Sequence, residues 1–143
     1  MSMLLFLLMF LFPAGEKRGY ENSDVGKIEL KINNLKNKKG ALLINLFARK
    51  EGFPDDPKQS IRSWKMQPSS AITLSNIPNG AYALVVMHDE DGDNAMTYNY
   101  LNIPKEGFGF SGYRARLLER PDFKKALFSH RYPETLIDIQ LRY

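Results

Sequence analysis

AITLSNIPNGAYALVVM, residues 71–87, is the stretch that decides the fold of this chain. Its first residues alternate between apolar and polar side chains, which is the period of a strand with one buried face. Pro78, Asn79 and Gly80 then give a tight-turn signal, and the apolar run that follows predicts a second, largely buried strand. Strands joined by so short a turn predict a protein built from β-sheets.

Further strands are predicted on both sides of this stretch. KIELKINNL, residues 27–35, alternates in the same way, and ALLINLFA, residues 41–48, is predicted as its antiparallel partner. The turn between them carries Gly40, which suits a positive φ. SIRSWKM, residues 60–66, and TLIDIQLRY, residues 135–143, complete the strand pattern.

The spacing of these strands, with little helix between them, predicts an all-β fold, an antiparallel β-sandwich. We expect about seven strands and one short helix near residues 121–129, with Pro121 at its first position. The long excursion of residues 88–116 then lies at one end of the sandwich. Loops at such a place usually carry function.

The N-terminus predicts export. Residues 1–15 contain an unbroken apolar run followed by Pro13, Ala14 and Gly15, the layout of a signal peptide with its cleavage zone. We expect a polar leader at 16–26 and a single sandwich domain at 27–143. The chain is therefore predicted to be periplasmic or extracellular, with no membrane span once the signal is removed.

Composition limits the possible partners. Cysteine is absent, so neither disulfides nor thiolate metal sites are expected. The formal net charge is +4, and basic side chains crowd residues 114–131. No RNA-binding signature or zinc-finger spacing accompanies them, so nucleic-acid binding is not expected. The expected partner is an envelope or extracellular ligand or protein.

HDEDGDN, residues 88–94, is the first candidate site. Asp89, Asp91 and Asp93 stand at alternate positions, and a hard cation such as Ca²⁺ takes several carboxylate oxygens from a loop of this kind. An EF-hand is excluded, because glycine falls at the wrong position and the closing Glu is missing. The alternative is an acidic turn whose side chains bond their own backbone without a cation.

His88 suggests a second site. With Glu106 and His130 it would form a set able to hold Zn²⁺ and a water, as in a metal-dependent hydrolase. No HExxH-type helix fixes that geometry, and a histidine at a strand end is commonly structural. Ser111 has neither an adjacent base nor a nucleophile-elbow motif, so no catalytic residue is predicted.

EGFGFSGY, residues 106–113, is the third candidate. Phe108, Phe110 and Tyr113 either bury one face of a strand or form a platform for a ligand. As ligand-binding candidates we therefore take these three aromatic residues together with His88 and Glu106.

Three segments together resemble a known family. They are IPNGAYALVVMHDEDGDN (77–94), LNIPKEGFGFSG (101–112) and RPDFKKALF (120–128). In this order they are similar to the exported bacterial proteins called domain of unknown function 2141. The resemblance implies a transthyretin-like or prealbumin-like sandwich outside the cytoplasm, and it implies no reaction. Thr97 departs from the family pattern, which usually has Asp near this position.

Three functions remain open from the sequence. The first is an exported, non-enzymatic β-sandwich that binds a ligand at its 88–113 loop end, with or without Ca²⁺ ordering that loop. The second is a metal-dependent hydrolase that uses His88 and Glu106. The third is a structural interaction domain of the cell envelope, in which exposed strand edges pair with a partner.

Overall fold

The protein was analysed as a computed structural model, which describes residues 24–114, 116, 119 and 121–143. Within these residues eight strands form two sheets. Their bounds are β1 (Val25–Asn33), β2 (Ala41–Phe47), β3 (Arg62–Met66), β4 (Ala71–Pro78), β5 (Gly80–Asp89), β6 (Gly107–Phe110), β7 (Leu127–His130) and β8 (Glu134–Gln140). One 3₁₀ turn (Pro57–Gln59) and one short helix α1 (Phe123–Ala126) complete the set. The predicted all-β sandwich is confirmed.

The two sheets differ in size. The smaller sheet has the order β4-β1-β8, and the larger sheet has the order β3-β2-β5-β6, with β7 also paired to β5. Strands β6 and β7 lie along the same edge of β5, since β6 pairs with residues 85–88 and β7 with residues 80–83. The pairing is antiparallel except between β1 and β8, which run parallel.

The core between the sheets follows from the alternation of the sequence. Every second residue of a strand points to the same face, and on each strand one set of alternate residues is apolar. These side chains form one buried cluster, which includes Ile28, Leu30, Ile32, Leu42, Ile44, Leu46, Ile72, Leu74, Tyr82, Leu84, Val86 and Ile139. Burial of this cluster is the main force that holds the sheets together.

The predicted pairing of β1 with β2 is wrong. β1 lies between β4 and β8, whereas β2 lies between β3 and β5 in the other sheet. Alternation specifies which face of a strand is buried, and both strands bury that face in the same core. The segment 34–40 crosses from one sheet to the other, beginning at Asn34 with φ 61°. Gly40 has the predicted positive φ, 64°.

The predicted helix is shorter than expected. The first residue of α1 is Phe123 and not Pro121, and Asp122 caps the helix, its side chain accepting a hydrogen bond from the backbone N–H of Lys124. The chain then leaves the helix at Leu127 and becomes β7. A helix of one turn forms no stable unit by itself, and the free edge of β5 offers the next residues a pairing partner.

Outside the sandwich, a second apolar cluster covers part of the outer face of the larger sheet. Phe47, Ala83, Val85 and Phe110 project outward from the strands, and Ala126 of α1 packs on them. Phe53 contacts the rings of Phe47, Phe110 and Phe123 at centroid distances of 5.5–5.7 Å. The middle of β5 is therefore covered on both faces, which explains why the sequence of this strand is an almost continuous apolar run.

The predicted signal peptide and most of the leader lie outside the described residues, which begin at Asp24. Export therefore stays a prediction. Among the described residues, no helix is both long and apolar enough to cross a membrane.

Candidate functional site

Four carboxylates meet at one end of the larger sheet. Asp89 ends β5, Asp91 and Asp93 follow in the next turn, and Glu106 immediately precedes β6. One oxygen from each of the four lies within 4.8 Å of the others. We call these residues the acidic cluster. The sequence predicted the three aspartates as one site, and the structure adds Glu106 to them.

Strand pairing explains why Glu106 joins the aspartates. His88 pairs with Gly107 across β5 and β6, so Glu106 lies beside the residue that follows His88, which is Asp89. Both carboxylates are buried, with Asp89 fully buried and Glu106 4% exposed. Asp91 and Asp93 are exposed, so the cluster has a buried side and an open side.

The buried carboxylates hold the loop by its backbone. Asp89 accepts hydrogen bonds from the N–H groups of Gly92 at 2.8 Å and Asn94 at 3.1 Å. Glu106 accepts from the N–H groups of Glu90 at 3.0 Å and Thr97 at 3.1 Å. Each carboxylate thus connects the end of a strand to the loop that follows β5, which is the self-bonded turn expected as one alternative.

The exposed carboxylates are bonded in the same manner. Asp91 accepts from the N–H of Asp93 at 3.2 Å and from the hydroxyl of Thr97 at 3.2 Å. Asp93 accepts from the N–H of Ala95 at 2.8 Å. Thr97, where the family pattern usually has Asp, therefore adds a donor to the cluster in place of a further negative charge.

Burial and hydrogen bonding shift the pKa values of two cluster carboxylates in opposite directions. Burial raises the pKa of Glu106, and the negative charges of Asp91 and Asp89 raise it further, while the two N–H donors oppose the rise. The backbone N–H of Asp93 lowers the pKa of Asp91. The lysine ion pairs found among the described residues do not include a cluster carboxylate, and the nearest one along the chain joins Lys36 to Glu90 at 3.8 Å. The raised pKa means that the fold favours the protonated form of the Glu106 carboxyl more than water does.

The zinc set of His88, Glu106 and His130 does not assemble. His88 faces the space between the sheets, where its Nδ1 contacts the hydroxyl of Tyr143 at 2.7 Å and its Nε2 contacts the carbonyl of Lys39 at 2.8 Å. His130 pairs with Gly80 at the other end of β5. Residues 80 and 88 are eight positions apart on β5, so the distance between them along the strand is roughly 26 Å. Period-two alternation also turns His88 away from Asp89 and Glu106.

A groove lies next to the acidic cluster on the outer face of the larger sheet. Its volume is about 760 Å³. Side chains from four neighbouring strands form its floor: Leu43, Asn45, Ser63, Lys65, Val85, Met87, Phe108 and Phe110. Most of this surface is apolar. Phe108 and Phe110 of the predicted aromatic platform are thus both part of a strand and part of a concave surface.

Loops form the walls of the groove. One wall comes from Pro54, Asp55 and Pro57, and the opposite wall comes from residues 94–104. Residues 94–105 form a small hairpin, which we call the arm, closed by the N–H of Asn99 to the carbonyl of Ile103 and by the N–H of Lys105 to the carbonyl of Thr97. Because Glu106 holds the N–H of Thr97, the acidic cluster fixes the base of this arm.

Tyr113 packs against Phe110, a residue of the groove floor. Its ring is parallel to that of Phe110, with the centroids 5.6 Å apart, and its hydroxyl accepts a hydrogen bond from the N–H of Asp122 at 3.0 Å. Ser111 is buried and donates to the carbonyl of Ala126 at 2.6 Å, while accepting from the N–H of Leu84 at 2.8 Å. Both residues hold the segment after β6 against the sheet.

The sequence did not identify Leu43, Met87 and Lys65 as site residues. These three side chains lie in one row across the larger sheet, because Leu43 pairs with both Lys65 and Met87. One signal was present: ALLINLFA is apolar at Leu43 as well as at its inward positions, which indicates a strand covered on both faces. The membership of Lys65 depends on the pairing of β2 with β3, which the sequence alone does not give.

Comparison with known proteins places this arrangement in a family. No curated protein and no solved structure matches the chain. A family model described as an uncharacterized protein conserved in bacteria matches residues 30–137, which include the acidic cluster and the sheet that carries the groove. The resemblance inferred from the sequence is thereby confirmed, and the chain belongs to the DUF2141 family of bacterial proteins.

Proposed function

We propose that this protein is an exported, non-enzymatic binding module whose ligand site is the groove. The observation that carries the proposal is a concave, mostly apolar volume of about 760 Å³ on the outer face of the larger sheet. Pockets that bind small molecules usually have volumes of about 300–1,000 Å³, with apolar walls and a few polar groups. The ligand that fits is a small, largely apolar molecule.

The state of the histidines and of Ser111 supports a role without catalysis. Both histidines of the chain are buried and use both ring nitrogens in contacts with oxygen atoms. Ser111 is fully buried between backbone groups. A nucleophile or general base must reach the substrate from a site open to it, and these groups do not face the groove.

The groove is tested by binding of a neutral apolar probe. We expect decanol to bind and the Leu43→Gln substitution to weaken that binding about tenfold, which is the loss of about 1.4 kcal/mol of apolar contact. The measurement is a calorimetric titration of both proteins.

Leu136→Gln is the matched control. Leu136 is 68% exposed and does not line the groove, so the same chemical change at this residue should leave the decanol affinity unaltered. If decanol does not bind, or if both substitutions weaken binding equally, the groove is not the ligand site.

We further propose that the acidic cluster binds Ca²⁺ and thereby orders the arm beside the groove. Oxygen ligands of Ca²⁺ lie about 2.3–2.6 Å from the ion, so ligands on opposite sides of it are about 5 Å apart. The separation of up to 4.8 Å within the cluster fits that arrangement. The raised pKa of Glu106 supports the proposal, because a cation would relieve the repulsion that contributes to it.

Calcium should therefore stabilise the folded protein. At a concentration about one hundred times the dissociation constant, the gain is about 2.7 kcal/mol, seen as a higher melting temperature in Ca²⁺ than in EDTA. The gain should decrease as the pH falls and the carboxylates are protonated. Asp91→Asn should remove most of the gain.

Asp138→Asn is the control for the calcium experiment. Asp138 is an exposed acid of the smaller sheet, 4.0 Å from Lys31, so this variant should respond to Ca²⁺ as the unmodified protein does. Equal melting temperatures in Ca²⁺ and EDTA would leave the cluster as a metal-free turn.

A further inference from the structure

The charge of Lys65 indicates which chemical class of ligand fits the groove. Lys65 lies on β3, the edge strand of the larger sheet, and its ammonium group donates to the amide oxygen of Asn94 at 2.5 Å. Among the described residues, no carboxylate lies within 4.0 Å of this ammonium group. The groove therefore has a cation at its rim whose hydrogen-bonding partner carries no charge.

The apolar floor extends from this cation in a straight row. Lys65 pairs with Leu43, Leu43 with Met87, and Met87 with Phe108, so the four side chains follow one another across four adjacent strands. Neighbouring strands are about 4.8 Å apart, which makes the row roughly 14 Å long. One end of the row is charged, and the rest of it is apolar.

A ligand that matches this row has two parts. An extended hydrocarbon or flat apolar body would cover Phe108, Met87 and Leu43, which removes its surface and theirs from water. An acidic group at its end would take a hydrogen bond from Lys65, and such a bond to an ionised group is stronger than one between neutral groups. Arg116 is a second cation of the lining, but it lies beside Glu119, whose N–H donates to the Arg116 carbonyl. An acid bound there, or beside Asp55, would be repelled by a carboxylate, which leaves Lys65 as the better match.

We propose that the groove binds an amphipathic anion, an apolar molecule of roughly ten carbons with a terminal carboxylate, and that Lys65 holds the carboxylate. This inference rests on the proposed function of the groove and adds the chemical class of its ligand. It makes Lys65 the residue that selects an acid over the corresponding alcohol.

The test compares decanoate with decanol, two probes of equal chain length that differ in charge. In calorimetric titrations, decanoate should bind at least about tenfold more tightly than decanol, because the ammonium group contributes to the binding of the acid alone. Lys65→Met should remove the preference, so that this variant binds decanoate no more tightly than it binds decanol. Lys65→Arg should keep the preference for the acid.

A control variant and the possible negative results distinguish a failure of the proposed role of Lys65 from a failure of the groove as the ligand site. Lys31→Met removes a cation from the smaller sheet, far from the groove lining, and should not change either affinity. If decanol and decanoate bind equally, or if Lys65→Met retains the preference, the role of Lys65 is wrong while the groove stands. If neither probe binds, the proposed function fails and this inference fails with it.

Discussion

Replacing Gly40 with alanine should destabilise the protein by about 3 kcal/mol or more. Gly40 has a φ of 64°, in the left-handed region, where an alanine costs about 1–2 kcal/mol. A β-carbon at this position would also overlap the carbonyl group of Asp89, which belongs to the backbone and has no side-chain freedom with which to yield. The crossing segment and the end of β5 would have to separate. Denaturant unfolding measures the loss.

Gly92→Ala is the matched control for this prediction. Gly92 also has a left-handed φ, 80°, but an added β-carbon there meets no atom within 4 Å. Its substitution should cost only the conformational part, about 1 kcal/mol once the reduced entropy of the unfolded chain is included. Equal losses at the two glycines would show that the contact with Asp89 is not rigid.

Replacing Tyr143 with alanine should have the second large effect, a loss of about 3 kcal/mol. The Tyr143 ring packs on Gly107 of β6 and stands edge-on to His88 with the centroids 5.9 Å apart. Because the Lys39 carbonyl can only accept, Nε2 of His88 carries the hydrogen and Nδ1 accepts from the Tyr143 hydroxyl. Removing Tyr143 deletes the ring packing and leaves a buried acceptor without its partner.

Two further variants divide this effect into its parts. Tyr143→Phe keeps the ring and removes the hydroxyl, so it should cost about 1–2 kcal/mol, mostly through the unsatisfied His88 nitrogen. Tyr100→Ala removes a tyrosine that is 94% exposed, and its cost should stay within about 0.5 kcal/mol. Both are read from the same denaturant experiment. If Tyr143→Ala resembles Tyr100→Ala, the contact between Tyr143 and His88 does not stabilise the fold.

The sequence predicted the strands well and their partners poorly. Alternation in residues 27–33 and 71–77 identified β1 and β4 because burial of one face is a local property of each strand. The pairing of β1 with β8 depends on contacts between residues more than one hundred positions apart, as between Lys27 and Glu134. No local pattern carries that information, so the adjacent β2 was taken as the partner of β1.

Only part of the site was predicted, because a sequence pattern shows which residues are neighbours along the chain but not which strands become neighbours in the sheet. Asp89, Asp91 and Asp93 are neighbours along the chain, and their meeting requires only a turn. Glu106 was named with His88, but the two residues separate because strand alternation sends His88 inward and Asp89 outward. The groove floor takes single residues from β2, β3, β5 and β6, so it exists only once the larger sheet is assembled.

The central position of β1 in the smaller sheet has a consequence for folding. Its two neighbours are β4 and β8, and β8 is the last of the eight strands along the described chain. During synthesis β1 keeps one backbone edge without its native partner, and the smaller sheet closes late. Topologies dominated by such distant pairing typically fold in milliseconds to seconds. The central strand of the smaller sheet therefore gains its second neighbour only once β8 is available.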